Sequence, residues 1–236
     1  MSEQDIGALK LQVAKTVRIL ESIGLLDMNG HVSCRVPGTN HFLINCRQAS
    51  RASIKASEIV MCDMEGKLVE GTMEPPSEYH IHTEIYKRRS DVGSVIHGHP
   101  HYQAVLGIAD IPWQPVFMLG AAIPRMNTWE VSSLVNTAEL GAELAEEIGS
   151  DSIIQIRHHG NVVAEADVQT AFATSVYAED HARKLYEASA TNRPLRVLSG
   201  DNLKRTAETA WGPKIVKKVW TYYEEKAARQ GVLTDI

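Results

Sequence analysis

Between residues 75 and 100 the chain sets a helix start, a buried strand and a histidine pair in immediate succession. Pro75-Pro76-Ser77 is a helix-opening signal, with Ser77 as N-cap and Glu78 in the first turn. Residues 92–96 read as a short buried strand running into His97-Gly98-His99-Pro100. Side chains alternate along a strand, so His97 and His99 point the same way, and neutral imidazole is the commonest nitrogen ligand for a metal. Glu78, one helix and one strand away, can fold back toward the pair. Other pairings compete. His80 and His82 are also two apart, but on a helix that spacing diverges by about 200°, so they cannot share an ion. Glu78 and His82, at i and i+4, can. From this stretch alone both ligand sets stay open.

Residues 153–163, Ile-Ile-Gln-Ile-Arg-His-His-Gly-Asn-Val-Val, supply a second β-rich run with histidines at a Gly break. Near the N-terminus stands Gly30-His31-Val32-Ser33-Cys34-Arg35. A Gly-x-Val-Ser-x-Arg start, an acidic residue opening a helix, His-x-His-Pro and then His-Gly follow one another here. In that order they resemble the class II aldolase/adducin family, over about residues 9–185. The resemblance implies an α/β fold of class II aldolase type, three layers α/β/α with a central, mostly antiparallel sheet flanked by helices. It implies one divalent ion per subunit (Zn²⁺, Mn²⁺, Fe²⁺ or Co²⁺) on His97, His99 and His159. Glu78 falls at the family's catalytic acid/base, which also ligates the metal when the site is empty. A homotetramer with sites between subunits is implied as well.

The remaining pattern suits that fold. Apolar residues at near-helical spacing predict a helix over residues 5–22, and Pro37-Gly38-Thr39-Asn40 is a turn between strands at 32–36 and 41–45. Strands at 58–62 and 68–69 complete an antiparallel meander. Helices follow at 103–109, 137–148 and 167–190, with an irregular apolar stretch at 112–119. From about residue 194 a helical extension opens at Ser199, its later part carrying Trp211, Trp220 and Tyr223 as a docking face. No internal repeat or linker divides residues 1–236, so one domain is expected. A net charge of −5 gives no basic face for nucleic acid, and no apolar run approaches a membrane span. Cys34, Cys46 and Cys62 are scattered without a CxxC pair, which suggests neither a disulfide framework nor a thiolate zinc site. With no leader at the start, a reduced cytoplasmic setting is expected.

Against the family's sugar-phosphate aldolases the chain departs at several places. His31 replaces the Asn of Gly-Asn-x-Ser, residues 46–51 (Cys-Arg-Gln-Ala-Ser-Arg) replace a Gly-containing loop, and Pro76-Ser77 replaces Ser-Ser. A phosphate cradle needs exposed N–H groups, and Pro has none. Arg47 and Arg51 appear instead, and guanidinium forks suit planar carboxylates. Phe117 stands where such aldolases present a proton-donating Tyr across a subunit interface. These losses resemble the family's branch of metal-dependent decarboxylases acting on hydroxylated aromatic carboxylates such as dihydroxyphthalates or hydroxypyridine dicarboxylates. Arg47, Arg51 and Phe117 are the substrate-side residues this branch implies. An aldolase or epimerase of a sugar or sugar phosphate, and a non-catalytic adducin-like interaction module, are the alternatives. For His158 a structural contact is favoured over catalysis, and His101 is read as pocket-lining or surface.

Overall fold

A computed structural model describes residues 2–236. Helix α1 (Glu3–Ser22) starts on a capping box in which Ser2 and Asp5 satisfy each other's backbone N–H. It buries Val13, Val17 and Leu20 along one stripe. It ends where Gly24 takes φ 75°, a conformation that suits only glycine readily. Four strands follow as the expected meander: β1 (His31–Arg35), β2 (His41–Asn45), β3 (Ile59–Asp63) and β4 (Leu68–Glu70). A single 3₁₀ turn, Ala56–Glu58, precedes β3.

The chain then leaves the sheet for α2 (Tyr79–Arg88) and re-enters it through β5 (Ser94–Gly98), which pairs antiparallel with β1. Next come α3 (His101–Ile108), α4 (Met118–Ala122), β6 (Asn127–Trp129), α5 (Ala138–Ile148), β7 (Ile153–Ile156), β8 (Gly160–Glu165) and α6 (Val168–Ser189). Two helices, α7 (Gly200–Ala210) and α8 (Pro213–Arg229), complete the chain.

The eight strands form one sheet in the order β4-β3-β2-β1-β5-β8-β7-β6, every neighbouring pair antiparallel except β6 with β7. Alternation along β1 sends Cys34 toward Leu9 and Gln12 of α1 and sends Ser33 toward His82 and Tyr86 of α2. So α1, with α6 and α8 packed beside it, covers one face, while α2 and α5 pack together over the other. This is the three-layer α/β/α arrangement that the resemblance implies. Phe42, Leu43, Ile44 and Phe172 lie fully buried between the layers, each contributing about 1.5–3 kcal/mol relative to exposure. Arg18 ties the ends together: its buried guanidinium donates to Ser53 O, Ile54 O, Val232 O and Thr234 O.

Several boundaries differ from expectation. Glu78, not Ser77, holds the N-cap position of α2 and makes no side-chain cap, because its carboxylate is turned elsewhere. The stretch 112–119 is irregular only as far as Phe117, after which α4 forms. Strand β6 was not expected at all. The single C-terminal helix is two, broken at Gly212-Pro213, where Pro starts α8 and cannot continue α7. Trp220 and Tyr223 of α8 dock edge-on against Phe172 of α6, so that aromatic face meets this chain's own core.

Candidate metal centre

His97 is the next-to-last residue of β5 in the middle of the sheet, where its backbone pairs with His31 on one side and Val162 on the other. Gly98 and Gly160 let the chain ends crowd around it. A Cβ on Gly160 would lie 2.2 Å from Gly98 O and 2.7 Å from the His99 ring, and one on Gly98 would lie 2.5 Å from Leu25 O. The β7–β8 turn that carries His159 is set by His158, which adopts φ 57° and engages Ser132 Oγ through Nδ1 at 2.9 Å. His158 is therefore a turn residue. In this way the strand end and the turn bring His97, His99 and His159 face to face, with their ligand atoms all within 4.8 Å of one another.

The second ring nitrogens show what this cluster is built for. His97 Nδ1–H donates to Asn161 O (2.8 Å) and His159 Nδ1–H to Ser133 O (3.1 Å). His99 Nδ1 meets Asp27 Oδ2 at 3.1 Å. A carbonyl only accepts, so His97 and His159 carry their protons outward and turn bare Nε2 atoms inward. The Nε2 atoms of His97 and His99 are buried without any partner. Imidazoles anchored through Nδ1, with idle Nε2 atoms converging, fit a divalent cation. Burial holds His97 well below its ordinary pKa and lowers His159, which keeps both rings neutral and able to ligate.

Glu78 faces the same point. Its Oε1 accepts Val135 N–H at 2.9 Å, and its oxygens lie 3.8–3.9 Å from the Nε2 atoms of His31, His97 and His159. Burial opposes its ionisation, but the facing His31 ring and the Val135 N–H lower its pKa. Glu78 is thus an anion at neutral pH.

The competing ligand pair, Glu78 with His82, is not formed. Fully buried, His82 has both nitrogens engaged, Nε2 with His31 Nδ1 and Nδ1 with Ser33 Oγ, each at 2.6 Å. No nitrogen remains for an ion. In the sequence His31 stands out only as the replacement of an Asn and His82 only as a rival ligand, although Glu78, His82 and Tyr86 recur at helical i, i+4, i+8 spacing.

A cavity of about 380 Å³ opens onto the cluster, within the size range of small-ligand sites. Arg47 and Arg51 both line it. Arg51 is buried and donates from Nε and Nη1 to Gly30 O, Cys46 O, Arg47 O and Ala49 O, so most of its donors hold the loop together. Arg47 is exposed and has no carboxylate partner among the described residues. Phe117 does not reach this cavity within one chain; it caps α4 under Lys184 Nζ, 4.7 Å above its ring. His101 lines a different, larger cavity of about 460 Å³ beside Tyr102 and Glu179, where no buried side-chain polar atom lacks a partner.

The profile of the Class II Aldolase and Adducin N-terminal domain matches residues 11–186. A 3,4-dihydroxyphthalate decarboxylase from Arthrobacter keyseri is 25% identical over 230 residues, spanning 87% of this chain and 92% of that protein. A 5-methylthioribulose-1-phosphate/5-deoxyribulose-1-phosphate aldolase from Rhodospirillum rubrum is 26% identical over 204 residues, spanning 85% and 90%. Among solved structures, an aldolase II superfamily protein from Pseudomonas syringae superposes with a TM-score of 0.88 at 23% identity, covering 100% of this chain and 98% of the other.

Proposed function

The chain belongs to the class II aldolase and adducin family, and on that footing we propose that it is a divalent-metal-dependent decarboxylase of a hydroxylated aromatic carboxylate. The observation that carries this reading is the cavity's anion-binding equipment. Arg47 stands there without a partner, whereas the loop offers little backbone for a phosphate: Arg47 N–H is spent on Glu74 O and Pro76 has none. An unpaired guanidinium suits a carboxylate, and the dihydroxyphthalate decarboxylase relatives turn over that class of substrate by name.

The residues support a balanced proton path. Arg47 binds a ring carboxylate and orients the ring toward Glu78. Ionised Glu78 takes the proton of the hydroxyl ortho to the departing carboxylate, then returns it to the carboxyl-bearing carbon. The C–C bond breaks, carbon dioxide leaves, and the bonding pair restores the ring as its phenolate. A divalent ion on His97, His99 and His159 would supply Lewis acidity for the oxygen that takes up this charge. Pro76, Leu134 and Met28 give the cavity an apolar wall. Met28 is 85% exposed and Leu134 56% at the cavity rim, which supports a homo-oligomer, as in the tetramer expected from the resemblance, whose neighbouring subunit covers the mouth.

The test is carbon dioxide release from ortho-hydroxy benzene and pyridine carboxylates by protein stripped of metal and reloaded with Mn²⁺, Zn²⁺, Fe²⁺ or Co²⁺. Metal-restored release is expected, with Glu78→Gln keeping the ion and losing turnover and His159→Ala losing both. Silence across the panel with the ion bound would favour aldol cleavage of a sugar phosphate, the chemistry of the 26%-identical relative.

A further inference from the structure

His31 and His82 belong to a longer buried array. Strand β1 sets His31, Ser33 and Arg35 on one face at two-residue spacing, and α2 sets Glu78, His82 and Tyr86 on the face opposite at four-residue spacing. The two rows interleave. His31 Nδ1 meets His82 Nε2, His82 Nδ1 meets Ser33 Oγ, and Ser33 Oγ meets Tyr86 Oη, each at 2.6 Å. None of the four side chains is more than 2% exposed.

The direction of every proton in this array follows from its far end. Burial raises the Tyr86 pKa, so the phenol keeps its proton, and Ser33 Oγ is its side-chain acceptor. Arg35, 4.6 Å over the Tyr86 ring, has donors only and cannot divert that proton. The Ser33 hydroxyl, accepting from Tyr86, gives its own proton to His82 Nδ1. His82, whose Nδ1 accepts, must then carry its hydrogen on Nε2 and donate to His31 Nδ1. His31 Nδ1, as the acceptor, bears no hydrogen. The ring's one hydrogen is left for Nε2, which is buried without a partner and lies 3.8 Å from Glu78 Oε2 on the cavity wall.

We infer that His31 is a fixed Nε2–H donor aimed at the reacting oxygens, not a metal ligand, and that Tyr86, Ser33 and His82 are positioning residues that set its tautomer. By distance alone His31, Glu78 and His97 make a second ligand set, with atoms within 4.8 Å. A nitrogen that bears a hydrogen has no lone pair for an ion, so the ion goes to His97, His99 and His159 instead. The inference stands apart from the choice between decarboxylation and aldol cleavage. Both build negative charge on oxygen beside Glu78, and a donor already in place stabilises it without reorganisation.

Nitrogen-15 NMR of the intact protein labelled at histidine, recorded metal-free and with Zn²⁺, tests this directly. His31 and His82 are expected to show a protonated Nε2 and a bare Nδ1 in both states, while Zn²⁺ shifts Nε2 of His97, His99 and His159. The loss of its signals in His31→Gln identifies His31. A bare His31 Nε2, or Zn²⁺-dependent loss of its hydrogen, would overturn the inference. Ser33→Ala removes the donor to His82 Nδ1 and is expected to mix the tautomers of both rings; unchanged ring signals would also overturn it. In turnover, His31→Gln keeps an N–H at similar reach and should stay within about tenfold of the parent kcat. His31→Leu should lose about 100-fold in kcat with KM little changed. Equal losses in the two variants would count against a donor role, and if His31→Leu does not fold, the spectra of the parent protein decide alone.

Discussion

Histidines kept neutral by burial leave a signature in how the fold responds to acid. Burial holds His82 well below the ordinary value of 6.5, with the nearby His31 and His97 lowering it further, and burial lowers His31 and His97 in the same direction. Unfolded, each takes up a proton as pH drops through 6.5; folded, each resists. Below that value the unfolded chain therefore binds more protons, so stability is full above it and falls as the solution is acidified. The loss reaches no more than about 2 kcal/mol per histidine at about pH 5. Thermal midpoints from about pH 8 to about pH 5 should fall steeply for the parent and less steeply for His82→Leu. A flat profile would mean that these rings take up protons in the fold as readily as in the unfolded chain. Of the site residues, those whose chemistry can be read from residue type and immediate neighbours were legible in the sequence: Glu78 at a helix start, His97 and His99 around one glycine, His159 at a Gly break. His31 was visible only as an unusual residue in a known place. Its meaning depends on His82, which lies 51 positions along the chain on another element.

At the level of elements, α2 is placed by α5, and the contact is a close one. A Cβ on Gly141 of α5 would fall 2.7 Å from His80 O and 3.0 Å from Glu84 Cγ. Glycine to alanine in a helix normally gains about 1 kcal/mol, whereas forcing an extra carbon against backbone costs about 1–3 kcal/mol. The second effect should win here because His80 O is backbone and cannot rotate away. Gly141→Ala is therefore expected to lower the urea midpoint and, by shifting α2, to lower turnover through Glu78 and the His31 array. A raised midpoint would show that the α2–α5 seam has room for a methyl group. The elements that sequence patterning located are those with a strong local period or a strong turn, as at Pro37-Gly38-Thr39-Asn40 before β2. Strand β6 escaped because Asn127–Trp129 spans three residues and owes its order to parallel pairing with β7, a contact that no local pattern encodes. The α7–α8 break was written in Gly212-Pro213, but the aromatic spacing through Trp211 and Trp220 obscured it.

For the whole molecule, the cluster of idle Nε2 atoms couples metal to stability. A divalent ion that the folded cluster fits would find no such site in the unfolded chain, so chelation should cost about 2.7 kcal/mol when the free ion had stood near 100 times its Kd. The expected result is a lower thermal midpoint on adding EDTA, absent in His97→Ala; an unchanged parent midpoint would deny the coupling. The meander, the α2–β5 unit and the β7–β8 turn all contribute to that one site, while Arg18 joins the ends of the chain on the far side of the sheet. The paired rows of β1 and α2 have one further effect. Four helical residues advance about 6.0 Å and two strand residues about 6.6 Å, so the rows act as a vernier, in step over a few rungs and out of step soon after. Such a scale tolerates changes of length in a turn between its two arms, such as residues 64–67 between β3 and β4, because a turn carries no phase. One inserted residue inside either arm turns every later rung away, by about 100° on the helix and to the other face on the strand. Over evolutionary time the chain is free to grow around its centre, but not through it.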